Sequence, residues 1–276
     1  MLNGLSAANY FGNCDETMKL LAIDVGNTNL VFGVFNNDRL EVSWRLSTVP
    51  SRTADELWML VSRLLTERKI KHGTVDGVIM SSVVPELTST MSEMVSHGFN
   101  RSVVVVDETK VGIPVLCKNP GEVGADRLVN AVGALDLFGS RVGPIVVIDF
   151  GTATTFDVIS KRGEYQGGVI CPGIEISADA LFERAARLPR VVAEKPLSII
   201  GQTTIESMQS GLFFGYLAMV EGIIGRLAAE FSESNKPLCV ATGGLAQSIA
   251  VETNTIDEVC PNLTLHGLRL VWTKNQ

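Results

Sequence analysis

The chain has 276 residues, of which 46% are hydrophobic, so it can bury a large core as one domain or as two of about 130 residues. Its net charge of −7 at pH 7 provides no long-range attraction to nucleic acid or to an anionic membrane, and we expect neither as a partner. Five cysteines without a CxxC pair are typical of reduced thiols, which argues against a disulfide framework or a zinc site.

The first 17 residues lack the charged and apolar regions of a secretory signal. Their Asn, Gly and Ser content favours disorder, so we expect residues 1–17 to be a dispensable extension. We also predict that no apolar run is long enough to cross a bilayer.

The first half of the chain, residues 18–140, begins with a buried strand and continues with two alternating ones around an Asn-Asn-Asp turn. Thr53 and Glu56 form a predicted capping box, and apolar residues at helical spacing follow it. The predicted strands are 19–26, 30–35, 40–46, 75–84 and 101–106, and the predicted helices are the one after Thr53, 86–97 and 125–138.

The second half, residues 141–276, repeats this order. Its predicted strands are 144–150, 154–160, 164–170 and 238–241, and its predicted helices are 177–188, 204–231, 245–251 and 265–271. Three strands, then helix, strand and helix, with a further strand and helix, indicate an internal duplication. The sequence therefore predicts an α/β fold of two similar halves.

Each half has an Asp-x-Gly turn where its first strand ends, at Asp24 to Gly26 and at Asp149 to Gly151. A single copy is most simply a hairpin turn, but two copies at equivalent points favour a shared role. Glycine lets the backbone approach a phosphate, and Asn27, Thr28 and Thr152 add side-chain donors. The two acids more plausibly organise cations than face a phosphate directly. We expect the turns to grip a polyphosphate across a cleft, with the Gly-Gly after the strand at 238–241 on the adenosine side.

The chain resembles the acetate and sugar kinase, Hsp70 and actin superfamily, and within it the type III pantothenate kinases. The resemblance extends over essentially everything from Met18 onward. It rests on several motifs in order: DVGNTN at 24–29, NPGEVGADR at 119–127, IDFGTATTFD at 148–157, GGVICPG at 167–173, IGQTTIESMQSG at 200–211 and LTLHGLRL at 263–270. It implies two ribonuclease H-like βββαβαβα halves with a cleft between them.

The resemblance also implies an activity: ATP-dependent phosphorylation of pantothenate to 4'-phosphopantothenate, the first step of coenzyme A biosynthesis. The implied enzyme is a cytoplasmic homodimer that uses Mg²⁺ and a monovalent cation, K⁺ or NH₄⁺. Its substrate site would be completed across the dimer interface.

Site residues carried over from the family are expectations for this chain. Asp126 would be the catalytic base, Asp149 would hold the monovalent cation, and Thr204 would reach pantothenate in the partner subunit. The ATP contacts would be Asp24, Val25, Gly26, Asn27, Thr28, Asn29, Leu30, Val31 and Thr152. The substrate site would also include Cys117, Gly124, Ala125 and Arg127, where Cys117 replaces the tyrosine usual in the family.

From the residues alone, other interpretations remain open. Asp126 could simply stabilise a helix N-terminus, and Arg127 could be a surface cation. The same fold could phosphorylate another small acceptor, such as a sugar, acetate or polyphosphate. The chain could also be an ATP-binding accessory factor for gene expression without turnover.

Overall fold

The computed structural model describes residues 18–141, 143–231 and 236–276. The extension predicted for residues 1–17 lies outside these ranges. The strands are β1 Lys19–Val25, β2 Asn29–Asn36, β3 Arg39–Ser47, β4 Gly77–Ser82, β5 Val103–Val105, β6 Ile145–Phe150, β7 Ala153–Ile159, β8 Tyr165–Pro172, β9 Leu238–Gly243 and β10 Glu258–Val259. The α-helices are α1 Ala54–Glu67, α2 Pro85–Phe99, α3 Ala125–Phe138, α4 Ile174–Arg184, α5 Thr204–Ala229, α6 Ala246–Ala250 and α7 Leu263–Lys274.

The strands form two five-stranded sheets with the same internal order. The first sheet runs β3-β2-β1-β4-β5 and the second runs β8-β7-β6-β9-β10. In both sheets the first three strands pair antiparallel, and the last two join in parallel beside the first. This correspondence confirms the duplication predicted from the sequence.

Alternate residues of β1 supply two different cores, because side chains on a strand point to opposite faces in turn. Leu21, Ile23 and Val25 pack with α1 and α2 on one face. Leu20 and Ala22 pack on the other face with residues of α3 and α7. β1 is therefore buried on both sides and reads as a continuous apolar run.

Helices α3 and α7 pack against each other between the two sheets, although they come from opposite halves of the chain. α3 contacts β6 and β7 of the second sheet, and α7 contacts β1, β2 and β4 of the first. The two backbones approach closely at Gly267, where an added Cβ would lie 2.1 Å from the carbonyl oxygen of Val129. Each half is thus completed by the other.

The predicted elements agree with the structure in existence and type, and differ mainly at their ends. α3 matches its predicted bounds, and the capping box of Thr53 and Glu56 is present. The bounds predicted for helix 177–188 were wrong. Strand β8 ends at Pro172, and α4 begins directly after Gly173 and ends at Arg184. The two-residue β10 was given no position, because it carries too few residues for a periodic signal.

Helix α5 contradicts the prediction that no segment is long and apolar enough to cross a bilayer. It has 26 residues, and its most apolar 18-residue window has a mean hydropathy of 1.5. Only 28% of that window is buried within the chain. Most of this apolar helix is therefore not covered by the residues that the structure describes.

Candidate active site

The two Asp-x-Gly hairpins, one from each sheet, meet at their tips. Thr28 and Thr152, at the tips of the hairpins, are joined by a hydrogen bond of 2.6 Å between their hydroxyl oxygens. Each turn is closed by its glycine, since Gly26 N donates to Asn29 O and Gly151 N donates to Ala153 O. The two turns, which are far apart in the sequence, are therefore in contact in the structure, as the duplication predicts.

Asp24 and Asp149 occupy equivalent positions at the ends of β1 and β6. Ser81 donates its hydroxyl to Asp24 over 2.7 Å, and Asn130 donates its amide to Asp149 over 2.9 Å. Burial raises the pKa of each carboxyl to about 7, and neighbouring acids in the cleft add to the shift. A cation bound nearby would favour the ionised form of both carboxyls.

Asp149 is held by a relay that begins on α7. The Thr264 hydroxyl donates to the side-chain oxygen Oδ1 of Asn130 over 2.8 Å. This hydrogen bond turns the side-chain NH₂ of Asn130 toward Asp149. Gly243, at φ +90°, leaves the space for this carboxylate, because an added Cβ would lie 2.7 Å from Asp149 Oδ1. The position of Asp149 is fixed by groups from both halves.

Asp126 lies in the first turn of α3, close enough to Asp24 and Asp149 for its charge to raise the pKa of both carboxyls. Its Oδ1 accepts from the backbone N–H of Arg127 at 2.8 Å. Burial is the main cause that raises the pKa of this carboxyl, and the charge of Asp157 raises it further. Gly124 makes the fold-back possible, since a Cβ there would lie 2.5 Å from Asp126 Oδ1.

Arg127 is directed into the second half. Its Nε donates to Asp157 over 2.7 Å, and its Nη2 lies 2.6 Å from the same oxygen. Asp157 lies on β7 and is fully buried. The sulfur of Cys117 lies 3.7 Å from the position of an added Cβ on Gly167, next to Gly168, which pairs with Asp157 in the sheet.

The remaining predicted residues are placed as follows. Ala125 is buried at the start of α3 beside Asp126. Thr204 is exposed at the start of α5, and among the described residues no hydrogen bond joins it to Asp126 or Arg127. The structure thus brings Asp24, Thr28, Asp126, Asp149 and Thr152 close together, with Arg127 next to Asp126. The side chains of Val25 and Leu30 are instead fully buried in the core of the first sheet, and Thr204 lies outside that contact network.

Sequence reasoning missed several residues that support the site: Ser81, Asn130, Asp157, Tyr165 and Thr264. Asp157 carried a usable signal, because it is a lone acid in the apolar run Phe156 to Ile159. The polar partners Ser81, Asn130 and Thr264 are distant in sequence from the acids they support, so no local pattern could reveal them.

Comparisons with known proteins point to one enzyme family. A sequence model described as type III pantothenate kinase matches residues 20–226. A type III pantothenate kinase of Moorella thermoacetica is 48% identical over 257 residues, which is 93% of this chain and 99% of the relative. Its counterpart in Myxococcus xanthus is 49% identical over 257 residues, covering 93% and 98% of the two chains.

Solved structures are similar to this chain in fold at low sequence identity. The inorganic polyphosphate/ATP-glucomannokinase of Arthrobacter sp. strain KM superposes with a TM-score of 0.51 at 14% identity, covering 94% of this chain and 100% of the other. Component A of (R)-2-hydroxyglutaryl-CoA dehydratase from Acidaminococcus fermentans gives the same values. These likenesses confirm the α/β fold of two similar halves that the sequence predicts.

Proposed function

Because the chain belongs to the type III pantothenate kinase family, we propose that the cleft between its two sheets is where phosphoryl transfer occurs. The chain phosphorylates pantothenate with ATP in coenzyme A biosynthesis. The observation that supports the cleft as the site is the convergence of three acids with raised pKa values, Asp24, Asp126 and Asp149, beneath the facing hairpins.

The two hairpins bind the ATP phosphates in this proposal. Thr28 and Thr152 already meet at 2.6 Å, so a polyphosphate that enters between them replaces their mutual hydrogen bond with two bonds to phosphate oxygens. The glycines beside them keep the backbone N–H groups accessible. Phosphoryl transfer depends chiefly on such positioning and on charge neutralisation. The phosphate contacts assigned here are the side chains of Asp24, Asn27, Thr28, Asn29 and Thr152 and the backbone groups of Val25, Gly26, Leu30 and Val31, because the side chains of Val25 and Leu30 are fully buried in the core.

Two cations complete the nucleotide site. Asp24 and Asp149 suit Mg²⁺, which is commonly held by one or two carboxylates and several waters. We assign the monovalent cation, K⁺ or NH₄⁺, to Asp149. Among the described residues no group of three or more His, Cys, Asp and Glu is preassembled for a metal. When bound, the cations neutralise charge on the transferring phosphoryl group.

The acceptor side of the cleft is built by the start of α3. Asp126 accepts the proton of the pantothenate hydroxyl, and its raised pKa makes it a better base than an exposed carboxylate. Arg127 binds the pantothenate carboxylate, for which a planar guanidinium is suited. Gly124, Ala125 and Cys117 form the adjoining wall.

A homodimer covers the exposed face of α5 in this proposal. Small residues form a stripe along that face at helical spacing: Gly211, Gly215, Ala218, Gly222 and Gly225. An added Cβ at Gly211, Gly215 or Gly225 would meet no atom within 4 Å. Exposed apolar residues continue the surface, with Leu197, Ile199, Ile200 and Ile205 all at least 49% exposed. A second copy packed here would bury this surface and bring its Thr204 toward the cleft.

We predict that Gly215→Arg converts the dimer to a monomer and reduces pantothenate turnover at least about 10-fold, because the bulky charge prevents close helix packing. Sedimentation or light scattering measures the mass, and ADP release measures turnover. Gly73→Arg is the matched control, since Gly73 also faces open space but lies in the short 3₁₀ turn of residues 72–74. A Gly215→Arg variant that stays dimeric and active would contradict the proposed interface.

The acceptor is tested by ADP release from purified protein with Mg²⁺ and K⁺. We expect turnover with pantothenate and little with sugars, acetate or polyphosphate. Omitting the monovalent salt should lower the rate. Nucleotide binding without ADP release on pantothenate would instead favour the accessory factor without turnover.

A further inference from the structure

Asp157 is a fully buried acid that receives hydrogen bonds from three side chains. Arg127 Nε donates to its Oδ1 over 2.7 Å, and the Tyr165 hydroxyl donates to the same oxygen over 2.6 Å. Thr155 donates to its Oδ2 over 2.9 Å. A buried carboxylate is tolerated only when it is paired and hydrogen-bonded, so this arrangement is specific rather than incidental.

The Arg127 guanidinium is held from several sides. Its Nη2 lies 2.6 Å from Asp157 Oδ1, but it is too poorly aligned to donate there and has no other acceptor among the described residues. The Tyr165 ring lies 6.0 Å from the centre of the guanidinium. Gly168 leaves room beside it, since an added Cβ would lie 2.9 Å from Nη2. The edge of the guanidinium formed by Nε and Nη2 is therefore held against Asp157, and Nη1, which has no hydrogen-bond partner among the described residues, is the end left to meet a ligand.

We propose that Asp157 is a positioning residue that fixes the Arg127 guanidinium for recognition of the pantothenate carboxylate, with the Tyr165 hydroxyl as its support. This inference rests on the proposed role of Arg127 in the acceptor site. Asp157 itself does not touch the substrate. It lies on β7 of the second half, whereas Arg127 lies on α3, so the pair also sets the position of the acceptor site relative to the second sheet.

A double-mutant cycle tests whether Asp157 acts through Arg127. Steady-state kinetics are measured for Asp157→Asn, Arg127→Met and the double variant, with pantothenate and ATP varied separately. We expect Asp157→Asn to raise the pantothenate KM on the order of 10-fold to 100-fold while the ATP KM stays within about twofold. In the double variant the pantothenate KM should equal that of Arg127→Met within about twofold, because the two residues act as one unit.

Tyr165→Phe is the milder variant, because it keeps the ring and removes only one donor to Asp157. It should raise the pantothenate KM in the same direction by a smaller factor, and it decides the matter if Asp157→Asn does not fold. Glu258→Gln, which breaks the exposed pair with Arg141, is the control and should change neither KM.

Three outcomes would each overturn the inference. The first is multiplication of the two single effects in the double variant. The second is an equal rise of both KM values in Asp157→Asn or, if that variant is unfolded, in Tyr165→Phe. The third is an unchanged pantothenate KM in these variants when the wild type is active. Absence of pantothenate turnover in the wild type would instead overturn the proposed function.

Discussion

Asp126→Asn should lower kcat for pantothenate by about 100-fold or more while ATP still binds with nearly unchanged affinity. The amide cannot accept the hydroxyl proton, but it keeps the size of the carboxylate and can still accept the Arg127 N–H through its oxygen. The hairpins that carry Thr28 and Thr152 are untouched by the change. ADP release gives kcat, and calorimetric titration with a non-hydrolysable ATP analogue gives the affinity.

The control for this experiment is Asp136→Asn, on the same helix. Asp136 pairs with His266 over 2.8 Å at the other end of α3 and is partly exposed. Its variant should keep wild-type kcat. Wild-type turnover in Asp126→Asn would eliminate Asp126 as the base.

The second large effect concerns Asp24, whose replacement by Asn should abolish activity and yet stabilise the ligand-free protein at pH 8. The folded-state pKa of about 7 lies above the ordinary value of 3.8 for an aspartate carboxyl, so the folded state binds the proton more tightly than the unfolded chain. The contribution of this group to the free energy of unfolding therefore falls as pH rises from about 4 to about 7. Asn imitates the protonated form and avoids that loss.

Thermal unfolding at several pH values measures this effect. We expect Asp24→Asn to melt above the wild type at pH 8, by on the order of 2–4 °C for each kcal/mol regained, with a smaller difference at pH 5. Asp38→Asn, in the exposed turn between β2 and β3, should leave the melting temperature unchanged at both pH values. An Asp24→Asn variant that melts below the wild type at pH 8 would contradict the assignment.

With ligand bound, we expect the wild type to melt above Asp24→Asn at pH 8. Mg²⁺ with a non-hydrolysable ATP analogue should raise the wild-type melting temperature more at pH 8 than at pH 6, because cations bind the ionised carboxylates. The same ligands should raise the melting temperature of Asp24→Asn less than that of the wild type. A ligand effect on the wild type that does not depend on pH would argue against cation binding by these acids.

The sequence predicted the fold better than it predicted the site. Apolar periodicity and the two Asp-x-Gly turns were enough to indicate two equivalent halves, because each signal is local. The contacts that fix the acids are not local: Thr264 supports Asn130 from 134 residues away, and Asp157 holds Arg127 from 30 residues away. The uncovered face of α5 was only partly visible, since apolar residues surround this helix on more than one side.

The packing of α7, from the end of the chain, against the first sheet has a consequence for biosynthesis. Until α7 has been synthesised, one face of the first sheet lacks the helix that covers β1, β2 and β4, although the last strand of that sheet ends at Val105, 158 residues before α7 begins at Leu263. One apolar face of the first sheet is therefore uncovered in the nascent chain during much of translation, and chaperones can bind there. Folding of the two halves should be a single late event rather than two successive ones.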